Sequence, residues 1–502
     1  MPNQLLPLIL TLALVTGPSH ALNKELPTST ENENREGLTN SRSGCPEQKP
    51  PADAVARPAY RNLRFEEDWS LLDSTSTTDF FDQLKHIPLG PEPGEKVFLS
   101  LGGQIRTRGE AWSNFGFGAG SSYRDGLGLL RVRLHSDWHF GPRARVFVEG
   151  MSALATGRSL PGSLRTLDVD SADIKNAFLD IVPMGAGSKK LTLRAGRQEL
   201  EFGRQRLVSP LDWSNTRPRS FDGIQAIYQT GDLKISSFWS KHVRTRKYRL
   251  NSSDDSKTDF FGIYFSGATL RRPGPTLDLY WLGLRRASAV FSGVAGKEVR
   301  HTFSGRVSGP GLQGRFSYDL EAALQTGEHV NREIRAFMVA ALASYQPEEL
   351  PSWMTLATGV DFATGDHDPS DNRLETFNQL FPLGHAYLGF IDIVGRQNVL
   401  DWHQKLAAAP LKRWSFSTDF HNFWRASGSD ALYDAGSGLV RAGGQEDPRY
   451  VGFEVDLMSR YALDRHTILE IGYSHFFPGS FIEETGSDKD IDFGYLSMQY
   501  TW

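Results

Sequence analysis

Residues 130–140, LRVRLHSDWHF, decide the fold. Leu130, Val132, Leu134, Trp138 and Phe140 fall on one side of an extended chain, and Arg131, Arg133, His135, Asp137 and His139 on the other. That period of two belongs to a strand with one apolar and one polar face. Outward from it the alternation recurs at 97–110, where Leu99, Leu101 and Ile105 oppose Gln104, Arg106, Arg108 and Glu110, and again at 145–151, 315–325, 413–421 and 451–457. A soluble sandwich alternates too, but its polar face meets bulk water and has no reason to concentrate arginine. A barrel in lipid encloses that face as a lumen.

Strands are expected near 97–112, 128–140, 143–155, 172–182, 190–200, 221–229, 233–243, 260–270, 277–287, 299–307, 314–326, 333–345, 354–364, 398–407, 412–424, 449–460, 465–476 and 491–502. Every second connection is short, as at Gly141-Pro142 or Thr230-Gly231-Asp232, and the others mostly run longer, notably 156–171, 201–220, 365–397 and 425–448. An even strand count with short turns on one rim and long loops on the other defines a transmembrane antiparallel β-barrel of about 18 strands, its short turns periplasmic and its long loops extracellular. The last strand places Leu496, Met498, Tyr500 and Trp502 on one face and ends the chain on an aromatic residue. Trp112, Trp138, Phe140, Trp353 and Tyr461 stand at other strand ends, where interfacial girdles are built.

The composition fits once the two faces are separated. Across 502 residues, 39% are hydrophobic, 23% charged, and the mean hydropathy is −0.39. No stretch after residue 21 approaches the roughly 18 apolar residues of a spanning helix. The single cysteine, Cys45, excludes an intrachain disulfide. Basic residues divide as roughly 40 Arg to 15 Lys, which favours planar contacts with anions, and a net charge of −4 gives no reason to invoke nucleic acid. Residues 5–15, LLPLILTLALV, followed by Ser19-His20-Ala21, read as a signal peptide over 1–21. Residues 22–60 are polar and read as a flexible leader, leaving 61–502 for the barrel.

With the apolar face in lipid, Arg106, Arg108, Arg131, Arg133, Arg145, Arg194, Arg300, Arg306, Arg315 and Arg335 point inward, interleaved with Glu110, Asp137, Glu149, Asp319, Glu321, Asp361, Glu454, Asp456 and Glu470. Basic residues gather in the first half of the wall and acids gain in the second. Such an arginine arc attracts carboxylates or phosphates, although cross-strand Arg–Glu pairs could equally stiffen the wall. Residues 196–223 carry Arg197, Arg204, Arg206, Arg217 and Arg219 around a loop, either an inward constriction or a solvated basic loop. Residues 365–387 offer Asp366, Asp368 and Asp371 at the spacing of a calcium loop, or else an Asn/Asp/Pro-rich turn. No other cofactor is expected, and the motifs G-x-S-x-G, H-E-x-x-H and C-x-x-C are missing, which argues against an enzyme.

Five segments, RPAYRNLRFEEDWSLL (57–72), FLSLGGQIRTRGE (98–110), LLRVRLHSDWHFGPRARVFVE (129–149), the GRQ…GRQRLV…RSFDG block (196–223) and ETFNQLFPLGHAY (375–387), together resemble the alginate-export family of bacterial outer-membrane proteins. The resemblance spans residues 57–502. It implies an 18-stranded barrel secreting an anionic uronate polysaccharide by passive diffusion through an arginine-lined, anion-selective pore gated by loops. It carries the lumenal role to Arg106, Arg108, Arg131, Arg133, Arg197, Arg204 and Arg206. Implied partners are outer-membrane lipid, the polysaccharide and periplasmic secretion scaffold proteins. An uptake porin for small organic anions or oligosaccharides, and a plugged structural or enzymatic barrel, are the other readings of the same architecture.

Overall fold

The computed structural model describes residues 57–70, 72, 79–90, 97–120 and 124–502, apart from 269–273, 292, 312–313 and 445–446. The signal peptide, nearly all of the leader and Cys45 lie outside the described residues.

Eighteen long strands form one sheet: β1 (Val97–Ser113), β2 (Asp125–Phe140), β3 (Ala144–Thr156), β4 (Asp170–Ala186), β5 (Lys189–Glu199), β6 (Ser220–Thr230), β7 (Leu233–His242), β8 (Thr258–Ala268), β9 (Thr276–Phe291), β10 (Val294–Pro310), β11 (Phe316–His329), β12 (Arg332–Tyr345), β13 (Met354–Ala363), β14 (Val399–Leu411), β15 (Trp414–Trp424), β16 (Tyr450–Ala462), β17 (Thr467–Pro478) and β18 (Ile491–Thr501). Each pairs antiparallel with the next. β18 returns to β1, with Gln104 opposite Thr501 and Ser113 opposite Asp492. Gly103 and Trp502 then exchange two backbone hydrogen bonds of 2.9 and 3.0 Å, so the terminal residue completes the seam. The molecule is a closed transmembrane barrel with no free edge in the hydrocarbon.

Burial is inverted relative to a soluble protein. Leu134 (56% exposed), Leu324 (62%) and Leu496 (62%) face outward, whereas Arg131 (0%) and Arg133 (2%) are buried inside. Phe140, Phe316, Tyr345, Trp353 and Trp414 stand exposed at the short-turn end, which marks the interface of one leaflet.

Four details depart from the sequence reading. Residues 288–298 and 327–332, expected as loops, continue the β9–β10 and β11–β12 hairpins almost to their tips, as Phe291 opposite Val294 and His329 opposite Arg332 record. Trp112 shares the lumenal phase of Arg108 and Glu110 and stacks on Phe493 at 4.1 Å, inside the barrel and not in the girdle. Arg335 points outward, paired with Glu333 at 2.8 Å, because Ile334, Ala336, Met338 and Ala340 take the inner face of β12. Arg315 sits in the turn before β11, exposed and paired with Glu348. The inner face of β12 is apolar because the lumen is not simply water: it holds an apolar cluster in which Phe221, Phe238, Phe260, Met338 and Ala340 of the wall pack with Leu207, Val208, Phe377, Leu388 and Ile391 from two loops.

Replacing a lipid-facing residue near mid-strand tests the inside-out assignment. Leu320→Arg is expected to cost about 2–4 kcal/mol of folding free energy, measured by denaturant titration in phospholipid vesicles, whereas a lumenal assignment for that face predicts a change near zero.

Candidate functional site

Two extracellular connections and the amino-terminal segment enter the lumen. The 200–219 loop, between β5 and β6, and the 364–398 loop, between β13 and β14, meet inside as a small ladder: Phe381 N–H donates to the Leu207 carbonyl at 2.9 Å, Ser209 N–H to Phe381 at 2.8 Å, and Leu383 N–H to Gln205 at 2.9 Å. Ion pairs fasten both loops to the wall. Arg206 reaches Asp319 (2.7 Å) and Glu321 (2.9 Å) on β11, and Arg396 reaches Asp361 (2.6 Å) on β13. Glu454 on β16 accepts from Ile391 N–H at 2.9 Å. Of the two sequence readings of 196–223, the inward one describes the structure.

The basic arc lies on β1–β3 and is closed over by residues 212–214. Arg106 donates to the carbonyls of Asp212 (2.8 Å) and Ser214 (2.9 Å), and Arg108 to that of Trp213 (2.8 Å), with its guanidinium 3.9 Å above the Trp213 ring. Arg131 donates to the carbonyls of Asp212 (3.0 Å) and Ser214 (3.1 Å) and to the Asp212 carboxylate (2.9 Å). Three guanidinium forks therefore converge on one short stretch of backbone.

The remaining arginines named from the sequence are held differently. Arg133 pairs with Glu149 at 2.7 Å, Arg145 with Asp137 at 2.6 Å, Arg194 with Asp180 at 2.7 Å, and Arg197 with Asp222 at 2.7 Å. Each of the last three is gripped by both carboxylate oxygens, a geometry that fixes the side chain as well as its charge. Arg204 lies 3.6 Å from Asp319. Arg217 and Arg219, noted in the loop, are buried, Arg217 completely; Arg217 bridges Glu199 (2.7 Å) and Asp212, and Arg219 donates to the Pro382 carbonyl.

From the short-turn side, residues 57–70 close the same space. Phe65 packs edge-on against Phe147 and Phe178, and Arg64 donates to the carbonyls of Gly103 and Trp502 across the barrel seam. Asn62 donates to Glu201 (2.5 Å) and accepts from Arg217 (2.7 Å), so this segment touches the extracellular loop within the lumen. Residues 57–60, grouped with the leader by composition, belong to this packed unit: Arg57 pairs with Asp82 at 2.6 Å. The sequence signal for it was available in Leu63, Phe65, Trp69 and Leu72, too many large apolar residues for a solvated linker. The 364–398 loop carries a similar signal in YLGFIDIV, residues 387–394.

The calcium loop is not assembled. Asp366 turns inward, 3.5 Å from Arg332, and burial together with the neighbouring Asp430 pushes its carboxyl up to about 6. Asp368 and Asp371 stay outside and cap turns, with Asp368 accepting from Ser370 N–H and Asp371 from Arg373 N–H. Their side chains hold local backbone, so the turn reading applies. Among the described residues, the ligand atoms that converge closely enough for a metal ion belong to Asp401, His403 and His421, on β14 and β15.

An 18-stranded barrel in lipid with a lumen closed by inward loops defines a porin-like outer-membrane channel protein. A family model described as alginate export matches residues 97–494, and the chain belongs to that family. It is a protein of the bacterial outer membrane. Among solved structures it is similar to the outer-membrane protein OpdK from Pseudomonas aeruginosa (TM-score 0.54, 10% identity, 80% of this chain and 98% of that one). It is also similar to OpdO (0.52, 13%, 80% and 97%) and OprD (0.51, 11%, 80% and 93%) from the same organism. At these identities the likeness concerns the fold. No curated protein sequence matches the chain.

Lys85, in the short helix Asp82–Lys85 (α1), gives the amino-terminal packing a pH dependence. Its ammonium donates to the Leu101 carbonyl at 2.9 Å and lies 5.0 Å over Trp69. Burial, reinforced by Arg64, lowers it to about 7 from the ordinary 10.5. A released segment thus binds more protons than a packed one between these values, and packing gains about tenfold per pH unit from about 7 upward and levels off below. Hydrogen exchange of residues 60–69, corrected for intrinsic rates, should show protection rising from pH 7 to 9, and no such rise in Lys85→Met.

Proposed function

We propose that this protein is an anion-selective channel through which an anionic polysaccharide of uronate units, alginate or a polymer like it, leaves the periplasm by passive diffusion. The observation that carries the reading is the convergence of Arg106, Arg108 and Arg131 on the carbonyls of Asp212, Trp213 and Ser214. Those carbonyls are neutral acceptors. A carboxylate offers two charged oxygens in the plane that fits a guanidinium fork, so it competes well for the same donors once the loop withdraws. Several such contacts in sequence bind a polymer without trapping it. Arg145, Arg194 and Arg197, gripped by their own carboxylates, stiffen the wall around this path. Membership of the alginate export family supports the choice of polymer. A periplasmic scaffold delivering it would meet the barrel at the short-turn rim, where residues 79–90 lie.

Uptake of small organic anions is the second reading, and one feature favours it. Trp213 stacks on His385 at 3.7 Å beneath Arg108, side chains with the chemistry to hold one aromatic carboxylate; OpdK, of the same fold, was solved with vanillate. Planar-bilayer recordings separate the readings. Replacing residues 210–215 by a short glycine linker should raise conductance severalfold and shift the reversal potential toward anions, and oligouronates should block it more strongly than aromatic carboxylates. Adding Arg106→Gln and Arg108→Gln should abolish the anion preference. A loop-shortened barrel with no conductance would overturn both readings in favour of a plugged structural or enzymatic barrel, and preference for cations would overturn anion transport.

A further inference from the structure

The neighbouring strands β14 and β15 hold a group that neither the fold nor the proposed transport requires. His403 and His421 stand directly opposite each other in the ladder, and Asp401 lies two residues from His403 on the same inward face. The Nδ1 atoms of both rings lie against one oxygen, Asp401 Oδ2, at 3.1 and 3.0 Å. The three ligand atoms all fall within 4.8 Å of one another. Tetrahedral coordination at about 2.0–2.1 Å sets ligand atoms about 3.3 Å apart, so small side-chain adjustments suffice.

Two further observations point to a cation. The second oxygen of the fully buried Asp401 has no hydrogen-bond partner among the described residues. Buried carboxylate oxygens left in this state are costly, and a bound cation removes the cost. Second, both rings turn Nδ1 toward the same Asp401 oxygen, and a metal ion taking that place displaces the proton now shared there. His421 Nε2 lies 4.0 Å from Asp456 Oδ2, where a small approach lets the carboxylate orient the ligated ring. His403 lies flat over Gly359, whose missing side chain makes room for the ring: a Cβ there would stand 2.4 Å from Nε2.

We infer that Asp401, His403 and His421 form a binding site for a divalent transition-metal ion of the zinc class, with its fourth coordination position open to the lumen. Two imidazoles and a carboxylate suit zinc better than calcium or magnesium, which take oxygen ligands. The side chains of His403 and His421 are 12% and 6% exposed and that of Asp401 is not exposed, so a lumenal water or carboxylate meets the ion from the side of the imidazoles. Occupancy adds two positive charges to the acidic arc whatever solute crosses the barrel.

The test uses the full, untagged chain in detergent, stripped with a chelator and titrated with Zn2+ by calorimetry, and with Co2+ by visible absorption. One Zn2+ per barrel and an intense tetrahedral Co2+ spectrum are expected. His403→Gln, which leaves the Asp401–His421 contact in place, should weaken Zn2+ binding by at least about 100-fold and abolish the tetrahedral bands. Asp456→Asn should weaken it roughly 10-fold or more, the usual effect of removing a group that orients a ligand. Heat-modifiable gel migration confirms that each variant remains a folded barrel. Absence of stoichiometric Zn2+ binding, affinity unchanged in His403→Gln, or an octahedral Co2+ spectrum would overturn the assignment, as would equal affinity for Ca2+ or Mg2+.

Discussion

Hydrocarbon offers no hydrogen bonds, and that absence governs everything else in this protein. Each backbone N–H and C=O within the bilayer must be satisfied by another strand, so the sheet has to close. It does so through β1 and β18, down to the pair of hydrogen bonds between Gly103 and Trp502. Closure with 18 strands produces an interior too wide for wall side chains to fill. The space is taken instead by the 200–219 and 364–398 loops and by residues 57–70, each bringing apolar residues and compensating charges with it.

Charge inside such a wall is stable only in pairs. Taking one member from a buried ion pair costs about 3–5 kcal/mol, because the other is left without either water or partner. Arg206 with Asp319 and Glu321, and Arg396 with Asp361, therefore act as anchors. Arg106 and Arg108 also take loop carbonyls as acceptors, Arg108 while paired with Glu110 at 2.7 Å, so part of their hydrogen bonding is to groups that carry no charge.

Period-two alternation made the barrel legible in the sequence, and it did so best where one face is polar. β2 reads without ambiguity because Arg131, Arg133 and Asp137 all face one way. β12 misleads because Ala336, Met338 and Ala340 are apolar residues facing inward against loop side chains, so the outward Arg335 looks lumenal. Hairpin tips such as 291–294 are obscured for a related reason: beyond the membrane the outer face need not be apolar. The lumenal arginines were visible, but their partners were not. Asp212, Glu149 and Asp180 are separated from Arg131, Arg133 and Arg194 by 81, 16 and 14 residues, and only strand register and the path of a loop bring them together. The Asp401–His403–His421 group was hidden likewise, since it exists only once β14 and β15 are aligned.

The contact of Asn62 with Glu201 and Arg217 has a consequence for how the barrel could open. Asp212 is shared between Arg131 and Arg217, and Arg217 in turn holds both Glu199 and Asn62. The stopper on the periplasmic side and the stopper on the outer side thus lean on a common guanidinium, and the outer one is also the cover on the basic wall. Displacing the outer one breaks the contacts of Asp212 with both Arg131 and Arg217, so neither stopper can shift without disturbing what the other rests on.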